Sequence, residues 1–445
     1  MSIRRLIFGN YRSFREEHEI ELAPVTIVLG KNNSGKSALV RVPLVVASGF
    51  NNSSPAPLDM ARFGVGGVGT TRDLYFDQHT LRRLLRLGIS VDGSRPFTMR
   101  ADLQYVDELG DAVVVSLRID HPRGDPEQAE TVELISTRLL SENRRPAPAL
   151  DGTLKGPTRH VSPREPEEYE IRATGLPPRV ARVPFSGLLP APGTLAGLQE
   201  LFELDPGPIS YLGPYRKPVF QQCRRTTETP VGLGNQHGGS PATSDPEKDL
   251  PDAQLLDLVN DKLTKVVPGW RISGVRRGPL WSPILIRDGS RSQLNLADAG
   301  SGLNQVLPIL IKCASDELAG AGRMASLQIV EAPEAHLHPA AHAELADLYL
   351  AVARETGTRL LVETHSETLL LRLRRRVAEG ANGISPEDIA IYVVEQSDGV
   401  SCVRRVGLDS LGNLDDAWPH GYFSQDYHEV RELARAQLEK VGDAP

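Results

Sequence analysis

Residues Gly30 to Ser37 read GKNNSGKS, which fits the spacing G-x-x-x-x-G-K-[ST]. These residue types suit the phosphates of a nucleotide. Gly30, Asn32, Asn33, Ser34 and Gly35 make a loop small enough for backbone N–H groups to turn inward around phosphate oxygens. The helix start that follows adds the positive end of its dipole. Lys36 can reach the β- and γ-phosphates, and the Ser37 hydroxyl can ligate Mg²⁺.

Such a loop needs a distant strand to bring a carboxylate to the magnesium shell. The stretch LQIVEAPEAHLHP, residues 327 to 339, offers one. Leu327, Ile329 and Val330 are a strand, and Glu331 stands at its end. Ala332 follows, and a methyl group can neither accept a proton nor orient water. Glu334 is the nearest substitute base. It reads equally well as a carboxylate facing the dipole of the helix that begins after Pro339. A second apolar strand ends in ETHSE and sets Thr364 and His365 at its terminus. A lone histidine is usually a satisfied core residue; beside a phosphate loop and an acid strand, His365 reads as a sensor of the γ-phosphate. In LADAGSGLNQVLPILI, Gly300, Ser301 and Gly302 precede a helix whose free N–H groups can bind an anion.

The elements that must position these residues are legible on either side of a poorly patterned middle. Val25 to Val28 is a β-branched strand entering the loop, and KSALVRVPLVVASG after it is helical, with Pro43 limiting its length. FTMRADLQYV and AVVVSLRID flank DELGD as an antiparallel hairpin. From about residue 120 to 250, proline-rich stretches such as HPRGDPEQ, ENRRPAPALDG and LLPAPGT read as loops between short strands. TTETPVGLGNQHGGSPATSDPEKD has the composition of a mobile segment. Regular structure returns with DAQLLDLVNDKLTKVV, PAAHAELADLYLAVARETG and TLLLRLRRRVAEG as helices, the last closed by Gly380.

Composition narrows the class. The chain has 445 residues, 40% hydrophobic and 24% charged, enough for a large core. Cys223, Cys313 and Cys402 are too dispersed for a disulfide framework or a zinc ligand set. Together with an N-terminus lacking a signal-peptide core, they favour the cytoplasm. No apolar run approaches the roughly 20 residues that span a bilayer, so no membrane partner is expected. A net charge of −7 confines any DNA contact to a local patch, and Arg372 to Arg376 or Arg82, Arg83 and Arg86 are the candidates. Most such runs are solvated helix faces. His336, His338 and His342 are close in sequence, but a proline interrupts a zinc-like spacing. NQHGGS lacks the G-x-S-x-G elbow an esterase would need.

The loop, the AGSGLNQ element, the acid strand and the histidine follow one another in an order that resembles the ABC-type ATPase heads of the OLD, RecF and SMC groups. The NYRSF stretch at Asn10 to Phe14 looks like the opening of such heads. YLGPYRKP, GSGLNQVLP, PEAHLHP and GNLDDAWPHGYFSQD are similar to stretches of stand-alone bacterial OLD-like ATPases, many of them found in phage-defence loci. The likeness covers roughly the first 40 residues and residues 290 to 425.

The resemblance implies an α/β P-loop NTPase head, a mixed sheet with an antiparallel β subdomain, with a large irregular insertion and no long coiled coil. Its expected parts are residues 1–50 with Walker A, an antiparallel insertion at 51–290, residues 291–405 with signature, Walker B and switch histidine, and a C-terminal module at 406–445. It implies ATP and Mg²⁺ as cofactors, with Ser37 and Glu331 at the metal. It further implies a homodimer in which Ser301 and Gly302 of one subunit reach ATP held by the other. Ala332 falls where such heads carry the catalytic glutamate, so slow hydrolysis is expected, with Glu331, Glu334 and His365 as the catalytic group.

This sequence departs from the pattern in several places. The signature is not of the LSGGQ kind. Gln78 is a weak candidate for a Q-loop glutamine, and the tail after about residue 405 is too short for a Toprim nuclease. The expected role is therefore a sensor or regulatory subunit of an anti-phage complex whose effector, a nuclease or toxin, is a separate protein. A non-hydrolysing nucleotide-gated scaffold and a RecF-like DNA-repair ATPase are the alternatives.

Overall fold

The computed structural model describes residues 2–50, 56–59, 70–78, 83–107, 109–123, 125–137, 168–195, 197–214, 216, 223–224, 253–277, 280–290, 292–319, 327–419, 429–433 and 435. The segments ENRRPAPALDG and TTETPVGLGNQHGGSPATSDPEKD, and Arg82, lie outside the described residues.

A six-stranded sheet carries the loop. Its order is Ile209–Leu212, Leu327–Glu331, Arg359–Glu363, Val25–Gly30, Ile389–Ser397, Val400–Val406. All pairs are parallel except the last. Val25–Gly30 is buried at every position, as a central parallel strand covered on both faces must be. Successive side chains enter opposite cores. Val25, Ile27 and Leu29 pack with the helices Ala253–Val266, Ser301–Ala319, Pro339–Thr356 and Glu367–Glu379, while Val28 faces the other way. Strands later in the chain flank Val25–Gly30 on both sides, so a crevice opens at the carboxyl ends of the strands where the order reverses.

On the opposite face lies an eight-stranded antiparallel sheet: His18–Glu21, Ser2–Gly9, Leu85–Asp92, Phe97–Val106, Asp111–Arg123, Asp125–Ser136, Glu168–Ala173, Leu176–Arg182. Phe97–Val106 shows why it folds this way, since Phe97, Met99, Ala101 and Leu103 alternate inward while Thr98, Arg100, Asp102 and Gln104 do not. The inward set joins Val28, Leu39, Ile329 and Leu361 in one core. Emptying such a site, as Leu361→Ala would, typically costs about 2–5 kcal/mol.

The DELGD hairpin forms as expected, between Phe97–Val106 and Asp111–Arg123. The described residues of HPRGDPEQ, read as a loop, instead belong to two paired strands, Asp111–Arg123 and Asp125–Ser136. Leu117 and Ile119 opposite Leu134 and Val132 fix that register by burial. After the phosphate loop the chain forms two short helices, Lys36–Val40 and Val42–Ser48, with Pro43 in the first turn of the second, where its missing N–H does no harm.

The first 50 residues contribute strands to both sheets, and Ile209–Leu212 from the middle of the chain is an edge strand of the parallel one. This is the mixed α/β P-loop ATPase architecture expected from the sequence, and no long coiled coil occurs among the described residues.

Candidate functional site

The phosphate loop is held by contacts that only small residues allow. A Cβ on Gly30 would sit 2.4 Å from Val394 O, and one on Gly35 2.6 Å from Ser13 Oγ. Gly35 also has φ 105° and Asn33 φ 63°, left-handed backbone that favours glycine and tolerates asparagine. Ser401 Oγ donates to Ser34 O at 2.7 Å, and Ser401 N donates to Ser13 O at 2.7 Å. The strand Val400–Val406 and the NYRSF turn thus brace the loop from behind. Asn32 and Asn33 are exposed at its tip. Lys36 is buried, its Nζ donating to Lys31 O at 2.7 Å, and burial lowers its pKa against the pull of Glu363 and Glu334.

Strand register brings two carboxylates alongside this loop. Glu331 and Glu363 are direct partners across their parallel strands, and Glu363 is paired in turn with Val28 of the phosphate-loop strand. Both are buried, at 2% and 8% exposure. Their partners differ. Glu331 takes a two-pronged contact from Arg41, Nε to Oε1 at 2.6 Å and Nη2 to Oε2 at 2.7 Å. Tyr211 OH donates to the same Oε1 at 3.0 Å, and Arg216 Nη2 donates to the Glu331 backbone carbonyl at 2.7 Å. Glu363 Oε1 instead accepts from the Ser37 hydroxyl at 3.0 Å, and its Oε2 is buried without a partner. Burial, with the nearby Glu331, pushes the Glu363 carboxyl up to about 7. Burial opposes the charge of Arg41, but its hydrogen bonds to Glu331 prevail and hold its pKa above the ordinary arginine value.

The sequence points to Ser37 and Glu331 at the metal; in the structure Ser37 bonds Glu363. Glu363 carries a usable local signal, an acid at the end of an apolar strand beside Thr364, whereas nothing local marks a role for Arg41, Tyr211 or Arg216. Arg216 is 5% exposed, and its backbone N–H and Nη1 both reach Gln305, at 3.3 Å to Oε1 and 3.2 Å to the carbonyl. Burial lowers its pKa. The AGSGLNQ element is thereby tied to the end of the acid strand.

Glu334 comes to the same place. Its Oε2 accepts from Thr364 Oγ1 at 2.7 Å and its Oε1 from the His365 backbone N–H at 2.7 Å. Burial and Lys36 lower the His365 pKa, against the pull of Glu334. Ala332 has φ 43°, and its N–H donates to Glu363 O at 2.8 Å. Ser301 opens the helix Ser301–Ala319 and is exposed. Gly302 packs within its own chain, where a Cβ would lie 2.5 Å from His336 O.

The lesser candidates resolve simply. His338 caps a helix, its Nδ1 accepting from Ala340 N at 3.2 Å, and His342 contacts Ser366 Oγ at 2.9 Å. Among the described residues no group of His, Cys, Asp or Glu is arranged as a metal-binding cluster. Arg372 and Arg376 both pair with Asp347, Arg374 donates to Gly412 O, and Arg375 pairs with Glu379. Arg86 pairs with Asp102 and Glu17, and Arg83 lies 3.9 Å from Glu16. Gln78 is exposed, bonded to Asp73. No described helix is long and apolar enough to cross a membrane.

Residues 244–370 match the family described as AAA ATPase domain, AAA_15. That segment resembles an AAA ATPase domain. It holds Ser301, Glu331, Glu334, Glu363 and His365, while the phosphate loop lies upstream of it. Residues 384–433 match the family described as protein of unknown function, DUF3696. No curated protein matches the chain. Among solved structures, the SMC head domain from Thermotoga maritima is 12% identical with a TM-score of 0.42, over 92% of this chain and 100% of that one. An SmcHead bound to the C-winged helix domain of ScpA is 13% identical with a TM-score of 0.46, over 92% and 98%. An Smc head domain with an extended coiled coil, bound to the C-terminal domain of ScpA derived from Pyrococcus furiosus, is 11% identical with a TM-score of 0.44, over 98% and 99%.

Proposed function

We propose that this chain is an ATP-hydrolysing head that dimerises on binding ATP and acts as the sensor or regulatory subunit of a bacterial anti-phage complex, its nuclease or toxin effector being a separate protein. One observation carries the nucleotide part. The loop Gly30–Ser37 stands at the carboxyl ends of parallel strands, with Lys36 and Ser37 beside Glu363, Thr364 and His365.

The donor set fits a magnesium–nucleotide complex. Ser34 Oγ and Glu363 Oε2 are buried polar atoms with no partner, and the carboxyls of Glu363 and Glu334 act on Lys36 against the effect of its burial. Backbone amides of Asn32 to Gly35 and the Lys36 ammonium would hold the phosphates. Ser37 and a carboxylate from one of the two strand ends would hold the metal. Magnesium supplies the positive charge that offsets the phosphate oxygens. The His365 ring can sense the terminal phosphate by hydrogen bonding.

Ala332 leaves Glu334 as the nearest base for an attacking water. Loss of a positioned base typically lowers rates by about 10²–10⁴-fold, which motivates slow turnover. The dimer and the defence role rest on the family resemblance, with exposed Ser301 as the residue available to a second head. Light scattering with and without ATP tests the dimer; an unchanged mass removes that part.

The competing reading is a nucleotide-gated scaffold without turnover. It gains support from Glu334, whose two oxygens are both engaged, by Thr364 Oγ1 and the His365 backbone N–H. Glu334→Gln bears on both: a collapse in ATP turnover supports the enzyme, and no change supports the scaffold or another base. DNA binding draws no support from the basic helix, because Arg372, Arg374, Arg375 and Arg376 all have partners in their own chain.

A further inference from the structure

Two buried acids stand in register at the ends of neighbouring strands, and only one faces the phosphate loop. Adjacent strands lie about 4.8 Å apart, so Glu363 is one strand from Val25–Gly30 and Glu331 is two. Glu331 is also saturated. Both its oxygens are engaged by Arg41, Oε1 also by Tyr211, and its carbonyl by Arg216. Arg41 cancels its charge at close range, with a geometry that a fork-shaped guanidinium holds firmly. Glu363 has one oxygen on the Ser37 hydroxyl and the other buried without a partner. An unpartnered carboxylate oxygen away from water is costly unless something positive meets it.

We infer that Glu363, and not Glu331, is the carboxylate that ligates the magnesium ion beside Ser37, and that Glu331 is a positioning residue whose charge Arg41 neutralises. This rests on the nucleotide reading above. Magnesium commonly takes one or two protein carboxylates or hydroxyls and fills its remaining octahedral positions with phosphate oxygens and water. The Ser37–Glu363 pair supplies one hydroxyl and one carboxylate, 3.0 Å apart, at the base of the loop. Glu331 then orients the site through its neighbours. Its bond to Arg41 fixes the end of the first helix, and its carbonyl fixes Arg216 and through it Gln305.

The test is a magnesium titration of fluorescent-ATP binding by the full chain, read without turnover. Wild type, Glu363→Gln, Glu363→Ala and Glu331→Gln are compared. Glutamine at 363 keeps the shape and an acceptor for Ser37 but removes the charge. Both Glu363 variants should raise the half-saturating Mg²⁺ concentration by about tenfold or more, the scale of effect typical of disturbed metal sites. Their magnesium-independent binding through Lys36 should persist, and Glu331→Gln should move the midpoint much less. The assignment is overturned if Glu331→Gln raises the midpoint as far as Glu363→Gln, or if Glu363→Gln leaves it in place. Wild-type protein that binds no nucleotide overturns the nucleotide reading and the assignment together, whereas normal binding with an unmoved Glu363→Gln midpoint overturns the assignment alone.

Discussion

The parallel and antiparallel sheets share a hydrophobic core, yet they hold their charges in opposite ways. In the antiparallel sheet the charges lie on the outer face as a lattice of half-exposed pairs, with Arg5 against Glu19 and Glu21, Arg86 against Asp102, and Arg100 against Glu19. At the carboxyl ends of the parallel strands a second set lies inside, on the strands and on the segments that follow them. Lys36, Arg216, Glu331 and Glu363 are each at most 8% exposed. Water screens the first set, so each pair contributes little. The second set has no water to fall back on, and every partner there is needed. The comparison teaches where chemistry can reside: the antiparallel sheet is a stiff support, and its NYRSF turn touches the phosphate loop only as backing.

Four perturbations sharpen this contrast, beginning with the strongest. Arg41→Ala leaves Glu331 buried and unpaired and should destabilise the protein by about 3–5 kcal/mol in urea unfolding. A loss below about 1 kcal/mol, the scale of a surface pair, would erase the contrast.

Next comes the pH dependence of nucleotide-free protein. The Glu363 carboxyl has a pKa raised to about 7, so the fold holds its proton more tightly than the unfolded chain does. Its contribution is fully present below about pH 4.5 and is lost as pH rises through about 7, by up to roughly 3 kcal/mol. Glu363→Gln should flatten that decline between these values. A decline of the same size in the variant would point to another group.

A smaller effect is expected at Gly302, where the added methyl of Gly302→Ala meets His336 O. The cost should be about 1–3 kcal/mol, read as a lower melting temperature. The weakest is Arg100→Ala on the antiparallel face, at about 0.2–1 kcal/mol. Should it match Arg41→Ala, exposure would not be what separates the two sheets.

Much of the site was legible because its residues are short-range. GKNNSGKS is a contiguous spacing with an apolar strand before it, and the strands ending at Glu331 and Glu363 are plain apolar runs. What escaped depends on register between strands far apart in the chain. Nothing local to ETHSE says that Glu363 stands one strand from the loop, and nothing local to VRVPL says that Arg41 reaches Glu331. The same limit applies to HPRGDPEQ. Its prolines suggest a loop, but the buried pairs Leu117–Leu134 and Ile119–Val132 hold together the two strands that carry its described residues. The partners of Arg372, Arg374 and Arg376, namely Asp347 and Gly412, come from elsewhere in the chain and leave no local sign in RLRRR.

The central claim is that Gly30–Ser37 holds the phosphates of ATP through Lys36. Calorimetric titration of ATP with Mg²⁺ into wild type and Lys36→Ala tests it most directly. Wild type should bind with one site per chain, and the variant, checked as folded by circular dichroism, should lose about 10–100-fold in affinity, the value of a charge-assisted hydrogen bond or two. Equal affinity in the two proteins, or no binding by wild type, would contradict it.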